Sequence, residues 1–365
     1  MKVLKFGGTS VANSKNLTNV LKIVQKQKYP IAVVVSALGG ITDLLMDMLS
    51  LAQSGDDNFK NHLPLVEKRH LETIKSCVPI QHQSAIISFL KKHLNELESR
   101  LDAIHLLEEA TPKNNAAISA YGELLSSNII QEIFSFNGID SVLKDSRDLI
   151  TTLHHNGREV VDQLTSEDNI KNFFKENTAN VVLLPGFIAS NASGETTTLG
   201  RGGSDYSAAL IASATESEVL EIWTDVSGMY TAHPKIVAQA KPIEKLTYYE
   251  AMELSHFGAK VIYPPTLQPI IEKKIPIVIK NTFAPEDAGT LIDDSPVVEN
   301  GEIVKGISHI DNVALINLEG SGMIGITGFS KRFFEALSDE NINVIMITQA
   351  SSEHSICIGV KEEEA

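Results

Sequence analysis

Short apolar runs alternate with segments of helical periodicity along most of the chain. The runs that predict strands are VLKF at 3–6, IAVVVSAL at 31–38, VVLLPGF at 181–187 and VLEIWTDV at 219–226, with a shorter one near 140–144. Helical periodicity follows over about 13–28, from Thr42, over 114–136 and within GGSDYSAALIASA at 202–214. Near-continuous apolar strands between helices predict an α/β fold whose mostly parallel sheet is covered on both faces. Ligands of such sheets bind at the carboxyl ends of the strands.

Residues 56–110 interrupt this alternation. The segment is polar, charged and poor in strand signals, and its apolar residues fall at helical spacing in AIISFLKKHLNELESRLDAIHLLEEA at 85–110. We predict a helical insertion at 56–110 within a first domain that spans 1–295. A second domain follows at 300–365.

Composition narrows the class of protein. The 365 residues fit about two domains, and 43% hydrophobic content is ordinary for a globular chain. A formal net charge of −15 argues against binding to nucleic acid or to anionic membranes. The two cysteines, Cys77 and Cys357, form no CxxC pair, and no long apolar stretch or signal-peptide pattern is present. We therefore expect a cytoplasmic protein with no nucleic-acid or membrane partner and no metal site built from protein side chains.

The motif KFGGTSV follows the first predicted strand directly. Lys5 precedes Gly7 and Gly8, where the strand should end and a helix begin. Successive glycines allow the backbone to approach a phosphate closely, and a lysine beside them supplies charge. The spacing is not that of a Walker A loop, since the glycines follow the lysine. A Gly-Gly turn with a surface lysine remains the alternative interpretation.

A second glycine-rich motif, GRGGSD, precedes a strong helical pattern. Its glycines and the capping candidates Ser204 and Asp205 lie at a predicted helix N-terminus, where free N–H groups and the helix dipole favour an anion. Arg201 can bind a carboxylate or phosphate with two parallel hydrogen bonds. The alternative is a flexible glycine loop with a solvated arginine.

Two further stretches have the composition of site loops. In IWTDVSGMYTAHPK, Thr224 and Asp225 end an apolar strand, and Tyr230 and Lys235 follow in a turn. In FGAKVIYPPT, Lys260 lies between a helix and a Pro-Pro turn. Taken singly, each of these residues has an ordinary interpretation as a turn former, a packing residue or a surface charge.

Together these stretches resemble the aspartokinase branch of the amino acid kinase family, almost from end to end. The resemblance includes SALGGITDLL, GELLS and KNTFAPEDAGTLI, and the last of these is most similar to the kinase part of bifunctional aspartokinase–homoserine dehydrogenases. It implies an amino acid kinase-type three-layer sandwich with a mostly parallel central sheet. It also implies transfer of the γ-phosphoryl group of ATP, with Mg²⁺, to the side-chain carboxylate of L-aspartate. The product would be 4-phospho-L-aspartate, at the first step of the pathway to lysine, threonine and methionine.

The resemblance carries specific roles to residues of this chain. Lys5, Gly7 and Gly8 would surround the transferred phosphoryl group, and Asp205 would orient Lys5. No general base is needed, because an aspartate side chain is already ionised at pH 7. Charge neutralisation and alignment are needed instead.

Recognition of aspartate is assigned by the same resemblance. Arg201 would bind the α-carboxylate, Glu123 the ammonium, and Ser36 and Thr42 would supply hydroxyl groups. From periodicity alone, Glu123 would be a residue on the solvated face of a helix.

Nucleotide contacts carry over to a further set of residues: Thr224, Asp225, Tyr230, Lys235, Lys260 and Val261. Two departures from the family pattern affect this set. The chain has His233-Pro234-Lys235 where many aspartokinases have Asp-Pro-Arg, and Tyr263-Pro264 where they commonly have His-Pro. Lys235 can act as a point charge on phosphate but cannot reproduce the bidentate geometry of arginine.

The pattern after residue 300 predicts β-α-β-β. NVALINLEG, GFSKRFFEALSDEN, INVIMITQA and SSEHSICIGV resemble the first part of an ACT regulatory module, so we expect a partial ACT-like α+β segment at 300–365. An ordinary α+β appendage is the alternative. ACT modules bind small amino acids at dimer interfaces, which implies a homo-oligomer and threonine or lysine as an effector. Because the pattern lacks the last helix and strand of such a module, we expect a piece of a longer polypeptide, weak or absent inhibition by threonine, and self-association through exposed strand edges.

Two alternative functions remain open from the sequence. One is another enzyme of the same family, such as a glutamate or uridylate kinase. The other is an amino-acid sensor that retains the kinase fold without turnover.

Overall fold

The computed structural model describes residues 1–155, 157–256, 262–263, 267–295, 304–349 and 354–365. These residues form two compact units, Met1–Ile307 and Ser308–Ala365. No helix within the described ranges is long and apolar enough to cross a membrane.

Twelve strands of the first unit are described. They are β1 (Lys2–Phe6), β2 (Ile31–Val35), β3 (Ser141–Leu143), β4 (Thr151–His155), β5 (Arg158–Val161), β6 (Val181–Pro185), β7 (Ile188–Asn191), β8 (Thr196–Thr198), β9 (Val219–Thr224), β10 (Lys245–Leu246), β11 (Ile277–Asn281) and β12 (Thr290–Ile292). Eight of them form the main sheet in the order β10-β12-β11-β9-β1-β2-β6-β3, with only the β11–β12 pair antiparallel. The other four form a small sheet in the order β5-β4-β7-β8.

Helices of the first unit lie between these strands. They are α1 (Ser14–Gln25), α2 (Ile41–Gln53), α3 (Leu63–Cys77), α4 (Gln83–Leu107), α5 (Pro112–Ser119), α6 (Tyr121–Phe136), α7 (Gln163–Glu176), α8 (Gly203–Ala214), α9 (Tyr248–His256) and α10 (Gln268–Lys273). Helices α3 and α4 lie in the segment where the sequence predicts an insertion. The single helix predicted over 114–136 is two helices that meet at Ala120. Ala120 keeps right-handed helical dihedrals, so the hydrophobic periodicity does not register the boundary between the two helices.

Side chains of each strand alternate between two cores. Leu4, Phe6 and Trp223 pack with α1 to α6, whereas Val3 and Ile222 pack with α7, α8 and α10 on the opposite face. The sheet therefore lies between two helical layers, which confirms the predicted three-layer sandwich with a mostly parallel sheet.

The second unit contains β13 (Val313–Glu319), α11 (Phe329–Asp339), β14 (Met346–Gln349) and β15 (Ser355–Lys361). Its sheet is antiparallel, with β15 between β13 and β14. Apolar side chains of β15 and of α11 form its small core. The β-α-β-β order predicted from the sequence is confirmed.

Candidate active site

Lys5 lies at the centre of the main sheet, near the carboxyl end of β1. It pairs in register with Val34 on one side and with Ile222 on the other. Because strand residues alternate, Lys5 faces the same side as Val3, which is the side covered by α8. Its ammonium lies 2.6 Å from Oδ1 of Asp205, in the first turn of α8. Lys5 is only 9% exposed, so the pair is held in a largely dry place.

The glycine turn follows immediately after β1. The N–H of Gly7 donates to the carbonyl oxygen of Trp223 at 3.2 Å, which ties the turn to β9. The N–H groups of Gly8 and Thr9 have no acceptor among the described residues. Gly7 also lies close to the lysine, since a Cβ on Gly7 would be 3.4 Å from Nζ of Lys5. The turn therefore presents backbone donors beside a positive charge.

Glu123 is a buried carboxylate with one oxygen that has no partner. It lies in the first turn of α6 and is 3% exposed. Oε1 accepts the N–H of Ala37 at 3.2 Å, whereas Oε2 has no hydrogen-bond partner. Burial raises the pKa of Glu123 to about 7, although the Ala37 hydrogen bond and the charge of Lys5 act in the opposite direction. The expectation from periodicity alone, a solvated helix face, is wrong.

This burial follows from close packing of α6 against the loop after β2. A Cβ at Gly122 would lie 2.8 Å from the Cβ of Ala37, so a glycine is needed for the approach. The hydroxyl of Ser126 also donates to the carbonyl oxygen of Ser36 at 2.8 Å. Gly122 and Ser126 thus bring Glu123 to the carboxyl end of β2.

The GRGGSD motif forms the entry to α8. Gly202 is the N-cap residue, with a left-handed φ of 68°, and no side chain caps this helix. The proposal of Ser204 or Asp205 as the cap is therefore wrong. Both lie inside the first turn of α8, because the left-handed glycine begins the helix earlier. Arg201 is exposed, and its guanidinium has no ion-pair partner within the described ranges.

A cleft of about 360 Å³ brings most of the predicted substrate residues together. Its lining includes Lys5, Gly8, Ser36, Thr42, Asp43, Glu123, Phe187, Gly202 and Asp205. Arg201 is not among the lining residues, but the next residue, Gly202, is. Sequence reasoning missed Phe187, which has a left-handed φ of 68° in the short connection between β6 and β7. The only signal for it was its place after the apolar run that ends in Pro-Gly.

The predicted nucleotide residues that are described lie at and after the end of β9. Thr224 is half-buried, and its carbonyl oxygen accepts the N–H of Thr282 at 2.9 Å. Asp225 and Lys235 are exposed, whereas Tyr230 is half-buried. Lys260 and Val261 lie outside the described residues, as does Pro264.

The loop that carries Tyr230 is fixed by hydrogen bonds to Thr290 on β12. The hydroxyl of Thr290 accepts the N–H of Met229 at 2.8 Å and donates to Ile243 at 2.6 Å. Thr290 is fully buried, so these bonds are shielded from water. The carboxyl end of β9 and the loop that carries Tyr230 therefore lie in fixed positions beside the cleft residue Lys5. Lys5 lies on the neighbouring strand β1.

No group of three or more His, Cys, Asp or Glu side chains in the described ranges could hold a metal ion. The cleft still contains single carboxylates, including Asp43 and Asp205. This donor set fits Mg²⁺, which usually binds through one or two carboxylates together with substrate phosphates.

Comparison with known proteins gives one family match in each of the two units. The sequence profile of the amino acid kinase family matches residues 1–281, and that of the ACT domain matches residues 316–365. The bifunctional aspartokinase/homoserine dehydrogenase 1 of Arabidopsis thaliana, a chloroplastic protein, is 38% identical over 368 residues, which cover 99% of this chain and 40% of the relative. This chain thus spans about two fifths of the length of that relative.

Shorter relatives are matched over most of their length. The lysine-sensitive aspartokinase 3 of Escherichia coli strain K12 is 33% identical over 365 residues, which cover 98% of this chain and 77% of the relative. The crystal structure of E. coli aspartokinase III in complex with aspartate and ADP superimposes with a TM-score of 0.83 at 30% identity, over 99% of this chain and 78% of that one. The same enzyme in complex with lysine and aspartate gives a TM-score of 0.81 at 30% identity, over 99% of this chain and 79% of that one. The chain therefore belongs to the amino acid kinase family, and within it to the aspartokinases.

Proposed function

We propose that this chain is an aspartate kinase, which transfers the γ-phosphoryl group of ATP to the side-chain carboxylate of L-aspartate. The observation that carries this proposal is the convergence of the Lys5–Asp205 ion pair and the unpartnered carboxylate oxygen of Glu123 on one cleft. The positive charge of Lys5 suits a phosphoryl group, and the carboxylate of Glu123 suits an ammonium group. A cleft of about 360 Å³ has room for a small amino acid beside a phosphate.

Phosphoryl transfer to a carboxylate is a problem of charge and alignment. The acceptor is already ionised at neutral pH, so the protein has only to hold two anions together and stabilise the charge that develops between them. Lys5 supplies a buried positive charge, and Asp205 holds the lysine in place at 2.6 Å. The N–H groups of Gly8 and Thr9, which have no acceptor among the described residues, supply further donors in the turn after Lys5.

Aspartate has two carboxylates and one ammonium, and the cleft offers a partner for each kind of group. Glu123 is proposed to bind the ammonium through Oε2, because a buried carboxylate oxygen without a partner is costly until a cation arrives. Arg201 is proposed to bind the α-carboxylate by moving onto the cleft mouth beside Gly202. The hydroxyls of Ser36 and Thr42 line the same cleft.

For the nucleotide, we propose contacts from Thr224, Asp225, Tyr230 and Lys235. Lys260 and Val261 are proposed on sequence resemblance alone. Support for ATP as the donor comes from the E. coli enzyme, whose structure was solved with ADP and aspartate. Mg²⁺, when bound, would neutralise charge on the nucleotide phosphates. Asp205 would hold the metal ion together with those phosphates.

Regulation and assembly belong to the second unit. We propose a small amino acid, lysine or threonine, as the effector, because the E. coli relative was solved with lysine and the ACT profile matches residues 316–365. A homo-oligomer is also proposed. Both outer strands of this sheet expose large apolar side chains, with Leu315 on β13 at 64% and Ile347 on β14 at 59%. A cytoplasmic location, finally, is proposed on the two free thiols of Cys77 and Cys357.

The test is a panel of acceptors with ATP and Mg²⁺. L-aspartate, L-glutamate and UMP are supplied separately, and ADP release is measured together with hydroxamate formation, which reports an acyl phosphate. The proposal predicts both signals with aspartate alone. Turnover with glutamate or UMP instead would assign another kinase reaction, and no turnover with any acceptor would favour a sensor without catalysis.

A matched pair of lysine variants distinguishes turnover in this cleft from turnover by a contaminating kinase. Lys5→Met should abolish both signals, because it removes the charge beside the glycine turn. Lys15→Met, an exposed residue on α1, should leave them unchanged. Equal activity in both variants would show that the measured turnover does not come from this cleft.

A further inference from the structure

Two of the segments that line the cleft are loops that approach each other through backbone atoms. One loop joins β1 to α1 and contains the glycine turn, and the other joins β2 to α2. A Cβ placed on Gly39 would lie 3.0 Å from the carbonyl oxygen of Gly8 and 3.0 Å from the Cβ of Ala12. Apart from the bond from Ser36 N–H to the carbonyl of Phe6 at the strand ends, no hydrogen bond joins these loops directly in the part of the chain that is described.

Arg69 links the two loops from outside. Its Nη2 donates to the carbonyl oxygen of Ala12 at 3.1 Å and to that of Gly39 at 2.9 Å. The two N–H bonds of one terminal nitrogen thus end on different loops. A guanidinium is planar and carries its donors at fixed angles, so it sets the spacing between both carbonyls.

The helix that carries Arg69 is anchored in the core. Val66 and Ile74 of α3 are fully buried in the cluster that contains α1, α2 and β1. Arg69 itself is exposed, so its side chain contributes little to that core. A rigid helix therefore presents the guanidinium to the loops, which is the arrangement that fixes a site precisely enough for chemistry.

We propose that Arg69 is a positioning residue for phosphoryl transfer, and that this is one task of the helical segment 56–110. The inference rests on the proposed function. The proposed phosphate-binding turn lies on the first loop, and the proposed aspartate-binding hydroxyl of Ser36 lies on the second. The distance between the two substrates therefore depends on the distance between the loops. A displacement of about 1 Å between reacting groups can cost about a hundredfold in rate.

The kinetic test uses Arg69→Ala, Arg69→Lys and a control on the neighbouring exposed residue, Lys68→Ala. Arg69→Ala should lower kcat by about tenfold to a hundredfold. The dissociation constants of aspartate and ADP, each measured alone by calorimetry, should stay within about threefold, because each substrate still meets its own loop. Arg69→Lys should be intermediate, and methylguanidinium in solution should restore part of the rate of Arg69→Ala, since the vacated position opens to solvent. Lys68→Ala should match the wild-type enzyme in every measurement.

Amide hydrogen exchange tests the link between the loops without any turnover. Peptides covering 7–13 and 36–40 should exchange faster in Arg69→Ala than in the wild type, and should not change in Lys68→Ala. Unchanged exchange in both loops would overturn the proposal whatever the kinetics, and faster exchange with unchanged kcat would overturn the positioning role. If the wild-type chain proved to have no kinase activity, the proposed function would fail, whereas hydrogen exchange would still decide whether Arg69 holds the loops.

Discussion

Replacing Glu123 with glutamine should change how the stability of the kinase unit depends on pH. Burial raises the pKa of Glu123 from 4.5 to about 7. Between these values the folded protein retains a proton that the unfolded chain has lost, so the free energy of unfolding falls as pH rises through this window. Across this window the free energy of unfolding should fall by about 3 kcal/mol, at about 1.4 kcal/mol for each unit of pH.

The Glu123→Gln variant has no titrating group at this position. Its free energy of unfolding, relative to that of the wild type, should therefore rise by about 2–3 kcal/mol between pH 5 and pH 8. The same variant should bind aspartate poorly at every pH. A gain in relative stability at pH 8 would thus accompany a loss of function, as expected where a site holds a buried charge for its ligand.

Urea unfolding at several pH values, followed by tryptophan fluorescence, measures this difference. Trp223 is the single tryptophan of the chain and is buried beside β1, so its emission reports on the kinase unit. Glu132→Gln, on the same helix, is the matched control. A difference for Glu123→Gln that is constant from pH 5 to pH 8 would refute the reasoning.

The ionisation of Glu123 also couples aspartate binding to proton release. Because burial raises the pKa of Glu123 to about 7, its carboxyl is mostly protonated at pH 6, and an incoming ammonium requires it ionised, so binding should release close to one proton. At pH 8 the carboxyl is mostly ionised before binding, so the release should be much smaller. Calorimetry in two buffers with different ionisation enthalpies gives these values, and equal release at both pH values would contradict the assigned contact.

Three further predictions concern the cleft and its packing. Lys5→Met should abolish detectable turnover, a loss in kcat of at least about 10²–10³, while the affinity for aspartate, measured by calorimetry, changes little, because the lysine meets charge that develops during transfer; a loss below about tenfold would remove Lys5 from the reaction. Arg201→Ala should weaken aspartate binding by about 2–5 kcal/mol and leave the ATP requirement unchanged, since one ligand carboxylate loses its partner; equal aspartate affinity in calorimetric titrations would exclude the contact. Gly186→Ala should destabilise the kinase unit by about 1–3 kcal/mol in urea, because its Cβ would lie 2.7 Å from the Cβ of Ser204 at the start of α8; a stability equal to that of the wild type would show that α8 can shift without cost.

Some parts of this molecule can be predicted from local sequence. Five of the eight strands of the main sheet, β1, β2, β3, β6 and β9, follow from apolar runs of strand length, whereas β10, β11 and β12 were not predicted. The position of Lys5 near the end of the first strand follows from the same runs. The glycine turn after β1 is also marked in the sequence, because consecutive glycines end the strand. These features depend on neighbours within a few residues.

Other parts depend on contacts between distant segments. Glu123 lies in a pattern that predicts a solvated helix face, and only the close approach of Gly122 to Ala37 buries it. Arg69 belongs to no motif, since its function depends on two backbone carbonyls far away in sequence. The small sheet of β4, β5, β7 and β8 was not predicted, because its strands are short and rich in polar residues.

The proposed reaction begins when a side-chain carboxylate oxygen of aspartate attacks the γ-phosphorus of ATP in this cleft. The most direct measurement supplies L-aspartate labelled with ¹⁸O in both side-chain oxygens, with ATP and Mg²⁺, and traps the product with hydroxylamine. Hydroxylamine attacks the carbonyl carbon, so the oxygen that bridged carbon and phosphorus leaves with the phosphate. We expect one ¹⁸O in each phosphate released together with aspartate hydroxamate, and neither product from Lys5→Met. Phosphate without ¹⁸O would show that water, rather than the aspartate carboxylate, attacks the nucleotide, and would contradict the proposed function.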